Sequence, residues 1–457
     1  MFTSNFLKTH QQLQNDKLLL PKREFVTYAL YALIAVALLY LFVDPAAPAS
    51  PPNPSVAAPW IQEELAPPSP PPTPYQGDER SSRSSPPPQA QAVSSSSSAA
   101  APTCDYSEGE WVPDSRPPPY NGTACEAIKD GRSCMANGRT DTGYLHWRWQ
   151  PRRCDLPDFS PELFLRWLTN KHMAFVGDSL ARNQAESLMC LLSSWSPAEL
   201  VHRDSDGRFR RWVFREHNAT VSIFWSPFLV RGAEKSERDG VRYNQLFLDE
   251  FDERWMSELA AVDAAVVSAG QWFRIPSVYY HEHGGRAVGC YGCAAEMNHT
   301  ETSFFAVFRD AVRRTLAEVA RRHGGGGGGN GKVVALMTFS PSHFDGEWNK
   351  GAPCTETTRP YREGEKELGY TEAEMRKIVV QEAAAANAAG TNNLRFVAVD
   401  VTALANMRPD GHPGPYMRKN PFAAAAEGRP VQHDCLHWCM PGPVDTFNQI
   451  LLQTILR

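Results

Sequence analysis

The sequence has no excess of positive charge and no convincing nucleotide-binding motif. Its 46 lysines and arginines are outnumbered by 51 aspartates and glutamates, which gives a net charge of -5. A nucleic-acid-binding protein needs a concentrated basic surface to neutralise phosphates, so we exclude nucleic acid as a partner. The glycine run at residues 324–329 precedes a strand, and Val333 stands where Ser or Thr would bind magnesium, which indicates a surface loop.

Charged side chains are absent from residues 25–43. As a helix this run would be roughly 28 Å long, about the thickness of the hydrocarbon core of a bilayer, and buried core helices are seldom this long and this apolar. Lys and Arg residues precede the run, and none follows it until Arg80, which places the N-terminus in the cytosol and the remainder in the lumen. No small-residue cleavage site follows directly, so we expect an uncleaved signal-anchor.

Residues 44–103 are dominated by Pro, Ser and Ala and have too few apolar side chains to offset the entropy of ordering. Their proline runs favour an extended conformation that would hold a following domain away from the membrane. We therefore predict a cytoplasmic tail at residues 1–24, a transmembrane signal-anchor at 25–43, a lumenal stalk at 44–103 and one lumenal catalytic domain at 104–457.

Cysteines and glycosylation sequons agree with the lumenal placement. The chain has 10 cysteines, which is unusual in a reducing cytosol and ordinary in an oxidising secretory compartment. Three N-glycosylation sequons begin at Asn121, Asn218 and Asn298. Each sequon alone is weak, but together with the apolar run and the cysteines they indicate the secretory-pathway lumen.

Apolar runs alternate with helical patterns beyond residue 104, which is typical of an α/β layer fold with a parallel or mostly parallel sheet. The predicted buried strands are residues 171–176, 221–225, 264–268, 333–339 and 396–401. The predicted helices are residues 180–192 and 303–322.

Gly177, Asp178 and Ser179 lie between a predicted strand and a predicted helix. That junction directs a side chain to the carboxyl edge of a sheet, where a nucleophile belongs. Amides at the helix N-terminus can stabilise an oxyanion there, which acyl transfer requires. A serine that only caps the helix after a turn glycine is the structural alternative.

A second cluster, His-Asp-Cys-Leu-His-Trp-Cys, follows much later in the chain. Asp434 and His437 are three residues apart, so both can project to one side, and the carboxylate can hold the imidazole tautomer that accepts a serine proton. Cys435 and Cys439 could bind zinc, but an oxidising lumen favours disulfides. We therefore predict a catalytic relay of Ser179, His437 and Asp434.

Gly270 and Gln271 follow a predicted strand and are candidate oxyanion donors, although a plain strand-end turn is equally consistent with them. His281 and His283 could suggest a metal pair, but flanking glycines and the lack of a further ligand favour a solvated loop. We predict no metal site.

Trp147, Arg148 and Trp149 could stack on sugar faces or clamp an extended chain. Burial of the two tryptophans in the core is the alternative, and we favour it slightly because large aromatic side chains most often serve packing. All three stay candidate substrate-binding residues.

Five stretches of the sequence together resemble the plant trichome-birefringence-like family, and the resemblance covers essentially all of residues 104–457. They are Cys104-Asp-Tyr-Ser-Glu-Gly-Glu-Trp-Val-Pro-Asp, Asn137-Gly-Arg-Thr-Asp, Tyr144-Leu-His-Trp-Arg-Trp-Gln-Pro, Phe175-Val-Gly-Asp-Ser-Leu-Ala-Arg-Asn-Gln and Asp434-Cys-Leu-His-Trp-Cys-Met-Pro-Gly.

This resemblance implies an SGNH-like, esterase-type α/β/α fold with a mostly parallel sheet, and polysaccharide O-acetyltransferase activity in the Golgi lumen. The protein would be a single-pass type II protein of the Golgi membrane. The triad of Ser179, Asp434 and His437 is carried over from the family. The matching motifs also contain Gly177, Asp178, Cys435, Trp438 and Cys439.

The resemblance further suggests disulfides between Cys104 and Cys154 and between Cys125 and Cys190. The spacing of the cysteines leaves the remaining connectivity open.

The form Arg-Asn-Gln that begins at Arg182 is closer to xyloglucan-acetylating members than to xylan-acetylating ones. We therefore expect a cell-wall polysaccharide as the acceptor, with the galactose of xyloglucan side chains as the acetylated sugar and xylan or mannan as alternatives. Arg182 and Asn183 join the candidate substrate-binding residues.

The expected reaction passes through an acetyl group on Ser179 and needs an acetyl donor, for which acetyl-CoA is the default, but no bound cofactor. Membrane proteins that supply the donor are expected partners. A polysaccharide acetyl esterase would use the same triad with water as the second nucleophile, and it stays an alternative.

Glycosidase treatment of the protein expressed in plant cells should increase its gel mobility, because Asn121, Asn218 and Asn298 would face the lumen. Use of any one sequon is enough for a shift, and replacing all three asparagines by glutamine should abolish it. The orientation would be wrong if no glycan were found and protease outside intact vesicles removed the large domain.

Overall fold

The computed structural model describes residues 104–281, 285–323, 331–347, 352–355, 358–390, 393–426 and 428–457. The predicted tail, membrane span and stalk, the glycine run and most of the His281 loop lie outside these ranges. Within the described residues, none of the helices combines the length and the apolar character that a membrane crossing requires.

Strands and helices are numbered here in chain order. The strands are β1 (Gly109–Pro113), β2 (Trp147–Pro151), β3 (His172–Gly177), β4 (Glu199–Arg203), β5 (Phe209–Phe214), β6 (Ala219–Trp225), β7 (Val230–Ala233), β8 (Asn244–Phe251), β9 (Ala264–Ser268), β10 (Ser277–His281), β11 (Arg286–Tyr291), β12 (Lys332–Met337) and β13 (Leu394–Val399). The helices are α1 (Pro161–Leu168), α2 (Ser179–Ser193), α3 (Glu253–Met256), α4 (Phe304–His323), α5 (Tyr370–Ala388), α6 (Thr402–Asn406), α7 (Ala423–Ala426) and α8 (Pro443–Ile455).

The largest sheet has seven strands in the order β13-β12-β9-β3-β6-β5-β4. The five strands from β13 to β6 are parallel, and β5 and β4 extend the sheet in antiparallel fashion at one edge. All five strands predicted from apolar runs are confirmed to within two residues, and both predicted helices to within one. A parallel strand covered on both faces is apolar along its whole length, which is why these runs were visible.

Two smaller sheets were not predicted. One has the order β11-β10-β8-β7, and the other is the hairpin of β1 and β2. The antiparallel edge strand β4 was also missed, because its five residues are all exposed and show no apolar pattern.

Helices cover both faces of the seven-stranded sheet and give the predicted three-layer α/β/α arrangement. Met173 and Phe175 of β3 pack into the cluster that contains the apolar faces of α2 and α8. The intervening Ala174 and Val176 face the opposite cluster, which contains residues of α4 and α5. The alternation follows from the two-residue period of a strand.

The hairpin of β1 and β2 packs on the layer that contains α2 and α8. The Trp111 and Trp149 rings meet edge to face with centroids 5.6 Å apart. The Trp111 indole N–H donates to the Leu404 carbonyl at 2.9 Å, and the Trp149 indole N–H donates to the Tyr106 carbonyl at 2.8 Å. The N-terminal segment of the described chain is therefore part of the main core.

All ten cysteines are paired in disulfides. The pairs include the two that the family resemblance suggested, Cys104–Cys154 and Cys125–Cys190. The others are Cys134–Cys439, Cys290–Cys293 and Cys354–Cys435. Cys435 and Cys439 are thus in disulfides, which confirms the prediction that they pair with cysteines instead of binding zinc.

Loss of the Cys134–Cys439 disulfide should destabilise the protein far more than loss of Cys290–Cys293. The first joins residues 305 apart in sequence and the second residues 3 apart. Chain entropy alone predicts losses of about 6 and about 2 kcal/mol for the two loops. Thermal unfolding of the two double Cys→Ser variants of the full chain measures the difference, and equal losses would contradict it.

Candidate active site

The junction of β3 and α2 presents Ser179 at the carboxyl edge of the seven-stranded sheet. Gly177 has φ +148, and a Cβ built there would lie 1.7 Å from the Ser268 carbonyl oxygen of neighbouring β9. Only glycine allows β3 and β9 to run so close together at this point. Ser179 is half-buried and is the first residue of α2.

Asp178 caps α2 and organises the turn around the serine. Its carboxylate accepts hydrogen bonds from the Leu180 amide at 2.9 Å and the Gln271 amide at 3.3 Å. The side chain is almost fully buried, and this burial raises the pKa of Asp178 to about 6 despite the amide hydrogen bonds. Asp178 therefore shapes the turn that presents Ser179.

Asp434 and His437 form the predicted hydrogen-bonded pair. The His437 Nδ1 lies 2.7 Å from Asp434 Oδ2, while Asp434 Oδ1 accepts from the backbone amides of Leu436 at 3.1 Å and His437 at 3.0 Å. A carboxylate held in this way keeps the proton of the imidazole on Nδ1 and leaves Nε2 free to act as a base.

The Asp434 carboxylate stays ionised. Burial alone would raise its pKa, but the attraction of His437 and the hydrogen bonds from His437 and Leu436 outweigh burial and hold the pKa far below its usual value. His437 Nε2 is buried and has no hydrogen-bond partner among the described residues. Ser179 and His437 line the same cavity.

The loop that carries Asp434 and His437 is fixed at both ends. Disulfides attach Cys435 to Cys354 and Cys439 to Cys134. Asp434 also exchanges two backbone hydrogen bonds with Gly414, at 2.9 and 3.0 Å.

Asn183 joins this loop to the serine helix. Its Oδ1 accepts from the Trp438 amide at 2.7 Å, and its Nδ2 donates to the Trp438 carbonyl at 3.3 Å. The side chain is completely buried, so the structure gives no support to the prediction that Asn183 binds substrate. Asn183 instead positions the residue that follows His437.

Arg182 is also buried beneath the surface of the site. Its guanidinium lies 5.0 Å from the centroid of the Trp225 ring, and burial lowers the pKa of Arg182 to about 10. It does not line the cavity of Ser179, so a direct contact with substrate there is not supported.

A buried ion network holds α2 from the other side. Glu186 is fully buried and binds Arg132 at 2.8 Å and Arg210 at 3.1 Å. Arg132 also donates to the Ser179 carbonyl at 3.2 Å. Because unpaired buried charges are costly, this network fixes the backbone of Ser179.

The candidate active site is a cavity of about 410 Å³. Besides Ser179, Asp434 and His437, its lining includes five residues that sequence reasoning missed: Trp272, Arg274, Ser342, Phe344 and Leu436. Several of these follow β9, which pairs with β3, or β12, which pairs with β9, so all three carboxyl ends lie at one edge of the sheet. Residues that follow β9 and β12 in sequence are therefore expected at this edge for the same reason as Ser179.

Gly270 and Gln271 do not present oxyanion donors to the cavity. The Gln271 amide donates to Asp178, and the Gly270 amide also contributes a hydrogen bond to that carboxylate. A buried carboxylate needs these donors, so the two amides serve Asp178, and the structure gives no support to their prediction as oxyanion donors. Gln271 lines the cavity, and its side-chain Nε2 donates to the Ser340 carbonyl at 2.8 Å.

Trp147, Arg148 and Trp149 lie away from the nucleophile. They line a second, larger cavity of about 760 Å³ that does not include Ser179. Trp149 is buried in the core, which agrees with the alternative that this tryptophan serves packing. Trp147 is half-buried and Arg148 is exposed.

Two family models match the chain. Residues 156–454 match the GDSL/SGNH-like acyl-esterase family found in Pmr5 and Cas1p, and residues 102–155 match the PMR5 N-terminal domain.

Curated plant proteins are also similar to the chain. Xyloglucan O-acetyltransferase 2 of Populus trichocarpa is 51% identical over 78% of this chain and 82% of its own length. Xyloglucan O-acetyltransferase 1 of Arabidopsis thaliana is 49% identical over 78% of this chain and 81% of its own. Protein trichome birefringence-like 26 of Arabidopsis thaliana is 38% identical over 78% of this chain and 77% of its own length. With Gly177, Asp178 and Ser179 at the strand-helix junction and Asp434 paired to His437, the chain belongs to the GDSL/SGNH-like acyl-esterase family found in Pmr5 and Cas1p.

Proposed function

We propose that this protein transfers acetyl groups to hydroxyls of xyloglucan, at the galactose of its side chains, through an acetyl-serine intermediate. The observation that carries the proposal is the His437 imidazole, which is bound to Asp434 through Nδ1, has an unpartnered Nε2 and lines the same cavity as Ser179. Relatives named xyloglucan O-acetyltransferases, about half identical to this chain, support the choice of acceptor.

The first half-reaction acetylates the enzyme. His437 Nε2 takes the hydroxyl proton of Ser179 as the serine oxygen attacks the acetyl carbonyl of the donor. The tetrahedral intermediate then collapses, the bond to the donor breaks, and the leaving group takes the proton from His437. Asp434 stays ionised and stabilises the imidazolium while it exists.

The second half-reaction moves the acetyl group to the sugar. The same Nε2, now neutral, takes a proton from an acceptor hydroxyl, and that oxygen attacks the acetyl-serine carbonyl. Collapse releases Ser179, whose oxygen regains the proton from His437.

In this mechanism the N-terminus of α2 stabilises the oxyanion. The Ser179 amide is the first N–H of the helix, and amides in this position have no intrahelical partner. The positive end of the helix dipole favours the developing negative charge.

The cavity favours transfer to a sugar over hydrolysis. Trp272, Ile275, Phe344 and Leu436 give it an apolar lining around the acetyl-serine. An apolar surface excludes loosely held water and accommodates the acetyl methyl group and the carbon-hydrogen faces of a sugar.

We also propose that the protein acts in the lumen of the Golgi. A Golgi-membrane protein with a cytosolic tail, one span at residues 25–43 and a lumenal catalytic domain would meet polysaccharides before export. The five disulfides support an oxidising compartment. The acetyl donor would be acetyl-CoA or a carrier supplied by other membrane proteins.

Replacing Ser179 by Ala, His437 by Ala or Asp434 by Asn should each nearly abolish acetyl transfer. Ser179→Ala removes the atom that carries the acetyl group, and Asp434→Asn should cost about 10⁴-fold because the imidazole loses its productive tautomer. Losses within a triad are not additive, so a double variant should be little worse than Ser179→Ala alone.

Matched controls come from the same cavity. Ser342→Ala and His433→Ala each remove a second serine or histidine that lines it, and both should retain far more activity than the triad variants. Mass analysis of enzyme incubated with donor and no acceptor should locate the acetyl group on Ser179. An acetyl group on another residue would overturn the nucleophile assignment.

Incubation of the full chain with acetyl-CoA and separate xyloglucan, xylan and mannan oligomers tests class and acceptor together. We expect mass analysis to show acetylated xyloglucan oligomers with the wild-type protein and no acetylated oligomers with Ser179→Ala. Acetylation of xylan or mannan instead would change the acceptor. Loss of acetyl groups from pre-acetylated oligomers, without transfer, would identify an esterase.

A further inference from the structure

Arg274 brings a positive charge into a cavity whose surface is mostly apolar. It is the last residue of the short 3₁₀-helix Gln271–Arg274 that follows β9, it is half-buried, and it lines the same cavity as Ser179. A guanidinium is not deprotonated in proteins, so this charge is present at every pH at which the protein works. The cavity therefore contains a permanent cation that the proposed mechanism does not use.

The guanidinium of Arg274 is oriented by neutral groups. Its Nη1 donates to the side-chain oxygen of Gln271 at 3.3 Å, and its Cζ lies 5.7 Å from the centroid of the Phe339 ring. Gln271 is held in turn, because its Nε2 donates to the Ser340 carbonyl at 2.8 Å. Among the residues that the structure describes, no carboxylate pairs with Arg274. These contacts position the guanidinium without neutralising its charge.

Arg132 and Arg408 show the usual arrangement of a buried arginine. Arg132 lies 2.8 Å from a carboxylate oxygen of Glu186. Arg408 lies 2.8 Å from a carboxylate oxygen of Asp410. A guanidinium that is partly withdrawn from water is stabilised by an anion that accepts its hydrogen bonds. In Arg274 the protein supplies the guanidinium and leaves the place of the carboxylate to another anion.

The other ionisable side chains of the cavity do not compensate this charge. The Asp434 carboxylate is already bound to His437 Nδ1 and to two backbone amides. Burial lowers the pKa of His433, which favours its neutral form. Within the described lining, Arg274 is therefore the group that attracts an anion from outside the protein.

The acetyl donor is the substrate that can supply this anion, because the proposed acceptor, xyloglucan, is built from neutral sugars. We propose that Arg274 binds a phosphate or carboxylate group of the acetyl donor. Both groups match the planar fork of a guanidinium and form charge-assisted hydrogen bonds with it. The inference rests on the proposed acetyl transfer and specifies the chemical class of its donor.

Acetyl phosphate illustrates the step with a small anionic donor. Ser179 Oγ forms the bond to the acetyl carbon, the bond from that carbon to the phosphate oxygen breaks, and phosphate leaves as an anion. The serine proton passes to His437 and then to the leaving phosphate. Arg274 holds the phosphate before the reaction and stabilises the charge that its oxygen gains as the bond breaks.

Arg274→Gln in the full chain should slow the acetylation of Ser179 by anionic donors only. Acetylsalicylate and phenyl acetate are a matched pair that differ by one carboxylate, while acetyl phosphate and acetyl-CoA carry phosphate near to and far from the acetyl group. Measured by release of the leaving group, kcat/KM should fall at least about tenfold for an anionic donor, because a hydrogen bond between charged groups is lost. For phenyl acetate it should change less than about twofold, because this ester offers the guanidinium no charge.

Two further variants separate charge from structure. Arg274→Lys keeps the charge and should retain more activity with anionic donors than Arg274→Gln. Arg238→Gln removes one positive charge elsewhere, since the Arg238 side chain is 91% exposed between β7 and β8 and does not line the cavity. It should behave as the wild type with every donor. An equal loss in Arg274→Gln for neutral and anionic donors, or no loss for any anionic donor, would overturn the proposal.

A binding measurement tests Arg274 even if acetyl transfer fails. Ser179→Ala cannot be acetylated, so titration calorimetry can follow its binding of acetylsalicylate, acetyl phosphate and acetyl-CoA. Adding Arg274→Gln to this variant should weaken the binding of an anionic donor at least about tenfold. Binding that depends on Arg274 without any transfer by the wild type would contradict the proposed function and leave this inference standing. Equal binding by the two variants would exclude the inference, whatever the activity of the enzyme.

Discussion

The hydrogen bonds between the Asn183 side chain and the Trp438 backbone join the two halves of the candidate active site. The two bonded residues are 255 apart in sequence, so no local structure brings Ser179 and His437 together. Asn183 lies one helical turn after Ser179 on α2, and Trp438 directly follows His437. This one contact sets the serine helix against the histidine loop, and the Cys134–Cys439 disulfide holds the same loop to the N-terminal segment.

Two aspartates of the site show how environment divides roles between identical side chains. Asp178 is buried against backbone amides, and its pKa is raised to about 6. Asp434 is beside an imidazole, and its pKa is driven far below the usual value. The first carboxylate caps a helix and shapes a turn, while the second stays charged and can stabilise an imidazolium.

The N-terminal segment reaches both halves of the site although it carries none of the triad. Arg132 binds Glu186 and the Ser179 carbonyl on α2, and its own carbonyl accepts from the Met440 amide. One buried arginine thus contacts the nucleophile helix and the loop after His437. Removing Glu186 would leave Arg132 and Arg210 as buried charges without their carboxylate, so the network must be complete to be stabilising.

The sequence by itself determined the parallel core strands and the candidate residues Ser179, Asp434 and His437, because both leave local patterns. Strands β3 and β9 are apolar along their length, Gly177 precedes Ser179 at a strand end, and Asp434 and His437 are close in sequence. Only the tertiary structure decided the roles of Asn183 and of the Gly270 and Gln271 amides. Their partners lie on distant segments, and whether a polar group faces a ligand or a buried neighbour depends on packing that no local pattern records.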